Sequence, residues 1–297
     1  MTTPNDVPVA RTEGRGPRDH EIDVYGLTHP GLVRTENQDH FLICSLRRQV
    51  DVHMTSLPHL ERLPLSGDRV AFLAMVADGV GGAARGDEAS RLAVERVTRY
   101  LVQSMKCYYA TDPNHNDEPF VVSLQEAALR CHAEMRERGE RDESSQGMAT
   151  TLTLWIGVWP RGYLLQVGDS RCYLLHEGEL IQVSRDQTVA QELVDQGILT
   201  RADAFSTRLA NVLSSAIGGP QAAPVVTRMD QAWGQVGLLC SDGLTKHVPD
   251  ERIREHLASM TSSKQVCEAL LQDALDAGGT DNITVLVGRV MRGGGDA

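Results

Sequence analysis

The chain has 297 residues, 40 acidic against 29 basic, a formal net charge of −11 and a hydrophobic fraction of 41%. That size and apolar content suit one large core, and an acidic chain with no stripe of Lys and Arg is a poor nucleic-acid binder, so proteins are the expected partners. The longest strongly apolar run, residues 70–77, falls far short of the roughly 20 residues that span a bilayer, and no membrane association is expected.

Residues 1–20 are polar and carry Pro4, Pro8, Gly14, Gly16 and Pro17, which predicts a disordered tail with no secretory h-region. Short β-prone runs at 24–28 and 41–46 flank a loop that holds Arg34 to Asp39. The run 69–77 reads as a strand buried on both faces, ending abruptly in Asp78-Gly79-Val80-Gly81-Gly82. From Asp87 the spacing of Ala89, Leu92, Ala93, Val97, Tyr100 and Leu101 predicts a helix. A second helix is expected over 121–138, with Leu124, Ala127, Ala128, Leu129 and Cys131 as its apolar side and a solvated charged end. Three strand-like runs follow at 150–158, 163–167 and 172–176, an antiparallel meander. Residues 184–219 read as an excursion from the sheet that opens with a helix over 188–197, and such excursions often carry specificity. A strand at 236–240, helices at 250–260 and 263–277 and a strand at 283–290 complete the pattern, and Gly293-Gly294-Gly295 predicts a flexible end over 292–297. Antiparallel runs with helices grouped between them define an α+β layered sandwich rather than a doubly wound sheet. The six cysteines are far apart, without a CxxC pair, and read as core thiols of a cytoplasmic protein.

Acidic residues recur at the ends of these strands: Asp39, Asp78, Asp169, Asp242 and Asp281. Any one of them suits a turn or a cap equally well. Gathered in one cleft they would repel unless cations were present, which predicts hard divalent metals held by oxygen ligands. Arg34, five positions before Asp39, is either a surface arginine or a fork for phosphate oxygens. The histidines show no HExxH and no GxSxG elbow occurs, which disfavours a His-rich zinc site or a serine hydrolase. His40 should alternate to the strand face opposite Asp39.

The succession Arg34…Asn37-Gln38-Asp39, Asp78-Gly79-x-Gly81-Gly82, Gly147-x-x-Thr150-Thr151, Val167-Gly168-Asp169-Ser170-Arg171, Ser241-Asp242-Gly243-Leu244 and Asp281-Asn282-Ile283-Thr284 resembles the metal-dependent (PPM-type, type 2C) serine/threonine protein phosphatases, in their compact bacterial form. The resemblance implies a four-layer α-β-β-α sandwich with two central antiparallel sheets, and a catalytic domain over 21–291 with a flap at 184–219. It implies two Mn²⁺ or Mg²⁺ ions and a third, weaker one. Asp78 would bridge the pair, the Gly79 carbonyl would bind one of them, Asp242 and Asp281 the other, and Asp39 would ligate directly or through water. Asp169 would help hold the third. Arg34 would clamp the phosphate and Asn282 would support metal-bound waters, while a hydroxide bridging the ions attacks phosphorus. Phosphoprotein substrates and a cognate Ser/Thr kinase are the implied partners. The alternatives are a phosphoprotein-binding module without catalysis and a phosphatase of small phosphoesters.

Two features depart from the family pattern. Many members carry a histidine in or just after the Asp-Gly-x-Gly-Gly stretch, where this chain has Val80, Ala83 and Ala84, so a metal-bound water rather than His40 is expected to protonate the leaving group. The connection 47–68, with Pro58 and Pro64, is long and predicts an exposed loop for partner or substrate contact.

Overall fold

The computed structural model describes residues 6–7, 15–48, 54, 67–80, 83–110 and 117–292. In chain order its elements are β1 (Asp6–Val7), β2 (Ile22–His29), β3 (Asp39–Arg48), β4 (Asp68–Val80), α1 (Ala83–Ala110), α2 (Glu118–Arg141), β5 (Ala149–Thr150), β6 (Leu152–Val158), β7 (Arg161–Val167), β8 (Arg171–His176), β9 (Glu179–Gln182), α3 (Val189–Asp195), α4 (Arg201–Ser206), β10 (Val225–Asp230), β11 (Val236–Cys240), α5 (Asp242–Thr245), α6 (Asp250–Ala258), α7 (Ser263–Asp276) and β12 (Ile283–Val290). They form the expected α+β sandwich of two sheets. One has the order β1-β10-β7-β6-β4-β3 with β5 paired to β4, and the other the order β2-β12-β11-β8-β9. Every pairing is antiparallel except that of β1 with β10.

Strand alternation explains the four layers. On β4, Leu73, Met75 and Ala77 join Leu92, Val97, Leu101, Phe120 and Leu124 of α1 and α2 in one core, while Ala74 and Val76 face the opposite way and meet Leu239 and Leu286 of the other sheet. On β12, Ile283, Val285 and Val287 join Ile253, Leu257, Val266 and Leu270 of α6 and α7 in an outer core. A strand buried on both faces reads as an unbroken apolar run, and β4 lies in the middle of the sandwich for that reason.

Several expectations change in detail. The helix expected from Asp87 begins at Ala83. Leu129 of α2 is 44% exposed because it falls off the stripe of Leu124, Ala128, Cys131 and Met135. β9 and β10 carried little sequence signal, since β10 buries only Val226 and Met229. The tail expected over 1–20 is anchored from Arg15 onward. Glu21 is buried, and its carboxylate takes both guanidinium contacts of Arg15 at 2.6 and 2.7 Å, while Arg69 binds Asp19 at 2.7 Å. Asp6–Val7 adds a short edge strand. Arg47, Arg48 and Asp68 belong to β3 and β4, so only the residues between them form the connection, and 49–53 and 55–66 lie outside the described residues, as do Gly81, Gly82 and 293–297.

Candidate metal centre

Antiparallel pairing puts the start of β3 beside the end of β4, and Asp39 is the direct cross-strand partner of Asp78. Opposed residues share a face, and here it is the inner one, continuous with Phe41 and Ile43 on β3 and Ala74 and Val76 on β4. In the second sheet the end of β11 adjoins the start of β12, which brings Asp242 and Asp281 together. Asp169 sits in the turn by which the chain leaves β7 in one sheet and enters β8 in the other. All five acids therefore meet at one end of the sandwich. A cleft of about 720 Å³ opens there, lined by Arg34, Asp78, Gly79, Asp169, Asp242, Lys246, Asp281 and Asn282, with residues 211–216 and 219–221 as its far wall.

Burial sets the electrostatics. It pushes the Asp39 carboxyl up to about 6, against the opposing hydrogen bonds of Thr284 and Ser241. Burial and then repulsion by Asp39 and Asp242 hold Asp78 well above the ordinary carboxylate range. Asp169 is held well above it by burial with Asp242 and Asp186 nearby, and Asp242 is raised by burial despite Lys246. Asp281 goes the other way, since its own burial is outweighed by Lys246 and Arg34. Like charges directly opposed on a sheet are destabilising. Two buried oxygens, Asp39 Oδ1 and Asp242 Oδ1, have no hydrogen-bond partner. Orphaned, all-oxygen donors of this kind fit a hard divalent cation. Among the described residues no three His, Cys, Asp or Glu side chains close on one point as they stand.

The chain's own cations take up part of this charge. Lys246 Nζ lies 2.6 Å from Asp242 Oδ2 and 2.8 Å from Asp281 Oδ2. Arg34 forks onto Asp281 with Nε at 2.9 Å and Nη2 at 3.2 Å. Lys246 was not singled out from sequence. Its position four residues after Asp242 is a legible helical pairing, but its reach to Asp281 depends on the pairing of β11 with β12.

Hydroxyls and amides brace the acids. Thr284 donates to Asp39 Oδ2 at 2.7 Å. The Asp78 amide donates to Thr151 Oγ1 at 3.0 Å, and its carbonyl accepts from Thr150 Oγ1 at 2.9 Å. Asn282, expected to support metal-bound waters, lines the cleft and has its side chain hydrogen-bonded to backbone. Its Oδ1 accepts from the Gln38 amide and its Nδ2 donates to the Pro30 and Glu36 carbonyls, which shapes the loop that carries Arg34. Glycine is required where segments touch. A Cβ on Gly243 would stand 1.9 Å from the Asn282 carbonyl oxygen, and one on Gly79 would stand 2.2 Å from that of Gly86. The close approach at Gly79 is therefore by helix α1. His40 projects to the opposite face from Asp39 and lies 3.0 Å from Ser90 Oγ on α1. The excursion 184–219 contains α3, capped by Thr188, and α4, capped by Thr200, where only one helix was legible.

A two-sheet sandwich with helices outside and a carboxylate-lined cleft at the strand ends defines the class of this molecule. The chain belongs to the protein phosphatase 2C family, whose model it matches over residues 65–278. It is 34% identical over 224 residues to the serine/threonine protein phosphatase PstP of Mycobacterium tuberculosis, covering 74% of this chain and 41% of that protein. The chain thus spans less than half the length of that relative. It is 33% identical over 216 residues to the serine/threonine phosphatase stp of Listeria monocytogenes, covering 72% of this chain and 83% of that one. The solved catalytic domain of PstP in complex with two manganese ions aligns with a TM-score of 0.64 and 28% identity, covering 91% of this chain and 98% of that domain.

Two outcomes follow from the site geometry. Raised carboxyls favour the protonated form in the folded state, so chelator-treated protein should lose stability as pH rises from about 4 through 6, by roughly 3 kcal/mol for Asp39 alone. Urea unfolding across that range checks this, and Asp39→Asn should flatten the slope. Gly243→Ala should push Asp242 away from Asp281 and lower the melting temperature, read by calorimetry.

Proposed function

We propose that the chain is a metal-dependent phosphatase that removes phosphate from phosphoserine and phosphothreonine of proteins, opposing a Ser/Thr kinase in the cytoplasm. The carrying observation is the directly opposed pair of buried Asp39 and cleft-lining Asp78, facing Asp242 and Asp281, with Asp39 Oδ1 and Asp242 Oδ1 left without a partner. The manganese complex of the PstP domain supports the choice of cofactor, and the buried free thiols Cys131, Cys172, Cys240 and Cys267 suit a reducing compartment. Among the described residues no helix is long and apolar enough to cross a membrane.

In this proposal Asp78, Asp39 and the Gly79 carbonyl would hold one Mn²⁺ or Mg²⁺, Asp242 and Asp281 with Asp78 would hold a second, and Asp169 would contribute to a third. Such ions supply water activation and neutralise charge at the transferred phosphoryl group. Arg34, held at the cleft rim by the loop that Asn282 shapes, binds phosphate oxygens. An acidic protein repels a phosphate dianion, so cations are needed for substrate binding as well as for chemistry. The excursion 184–219, whose residues 211–216 line the cleft, is placed to contact the peptide around the phosphorylated residue. The domain reads as 21–291, with the connection near 47–68 as a separate contact loop. The leaving group takes its proton from water, since His40 faces helix α1 and is absent from the cleft lining.

Hydrolysis of an aryl phosphate and of a phosphothreonine peptide, each with Mn²⁺ and with chelator, tests this. Turnover of both only with Mn²⁺ is expected; none with either would favour a binding module, and the aryl ester alone a small-ester phosphatase. Asp78→Asn should lower kcat/KM by about a hundredfold or more, whereas His40→Ala should keep most of it.

A further inference from the structure

The two acids assigned to the second ion are already bridged by a cation of the chain. Lys246 follows Asp242 by one helical turn, its amide bonds back to the Asp242 carbonyl at 2.9 Å, and its ammonium sits between Asp242 Oδ2 and Asp281 Oδ2 at 2.6 and 2.8 Å. Asp281 has neither oxygen free, since Oδ1 accepts from Arg34 Nε and from the Asn282 amide, and Oδ2 from Lys246 and from Arg34 Nη2. A lysine whose purpose was to brace α5 would need only Asp242. This one reaches across 35 residues of sequence into the cleft, where its side chain is 29% exposed and lines the wall beside Arg34.

We propose that Lys246 is a built-in competitor for the divalent ion of the Asp242–Asp281 pair, and that ion binding there frees Lys246 and Arg34 to grip the phosphate. The inference rests on the phosphatase reading above for the assignment of Asp242 and Asp281 as ligands. An ammonium and a divalent ion cannot both stand between the same two carboxylate oxygens, because each would meet the other's charge at contact distance. Asp242 still offers its unpartnered Oδ1, but Asp281 offers no free oxygen, so the ion must draw Asp281 away from both Lys246 and Arg34, which lowers its apparent affinity. Both freed side chains remain tethered at the cleft rim, as a planar fork and a flexible point charge, and both suit a phosphate dianion. Ion and phosphate binding are thus coupled through Asp281, and the coupling must be reciprocal.

The test is titration of the full, chelator-treated protein with MnCl₂ by calorimetry, with free Mn²⁺ counted by electron paramagnetic resonance, followed by inorganic phosphate at saturating Mn²⁺. Lys246→Met should tighten the weaker Mn²⁺ step by about tenfold and weaken inorganic phosphate binding several-fold. Unchanged or weaker Mn²⁺ binding in a variant with the wild-type circular dichroism spectrum would overturn the proposal. If Lys246→Met does not fold, Lys246→Gln serves with the same expectations. Asp242→Asn separates the two levels: a loss of one Mn²⁺ equivalent upholds the ligand assignment, whereas an unchanged stoichiometry sinks that assignment and the competition with it.

Discussion

The repulsion among carboxylates gathered at one end of the sandwich is the constraint on which the site depends. Asp39, Asp78, Asp169 and Asp242 all hold their protons more tightly than ordinary carboxylates, and in each case burial is the main cause. Such a grouping has no packing value, because a buried charge costs several kcal/mol unless it is paired. It persists only where the surrounding structure over-determines it and where cations use it.

The rest of the architecture meets that demand. The large apolar cores lie outside the two sheets, under α1 and α2 on one side and α6 and α7 on the other, and leave the strand ends between the sheets for polar groups. The inner faces change character along each strand: Ala74 and Val76 lead to Asp78, and Leu286 leads to Thr284, which holds Asp39. Thr150 and Thr151 fix the Asp78 backbone from the neighbouring strand. Cations of the chain come from the rim, where Arg34 and Lys246 converge on Asp281 and lower its proton affinity, in contrast to the other four acids of the cleft. An acidic protein that keeps two cations at the mouth of its acidic cleft can hold the cleft together and still present positive charge to an anion.

Much of this was legible in the chain, and the parts that were not share a physical cause. The central strand could be read because 69–77 is apolar at both parities, and α1 and α2 because their apolar residues recur at helical spacing. Strand β10 could not, since a strand with only two buried side chains leaves almost no pattern. The anchoring of residues 15–20 was hidden for a related reason: it consists of ion pairs between Arg15 and Glu21 and between Arg69 and Asp19, and paired charges look like any polar segment until both partners are located. Asn282 was recognised as a site residue, but its work on the backbone of the 30–38 loop is a matter of contacts from residues some 250 positions away.

By itself the sequence determined that five aspartates stand at strand ends, that an arginine precedes the first of them, and that no histidine occupies the glycine-rich turn. Local periodicity and turn chemistry suffice for that, because both are written within a few residues. Only the tertiary structure decided that Asp39 and Asp78 oppose each other on the inner face, that the face taken by His40 is the one covered by α1, and that Lys246 and Arg34 share Asp281. Those facts depend on strand register and on the meeting of two sheets, and a shift of one residue in either pairing would send each acid to the other face.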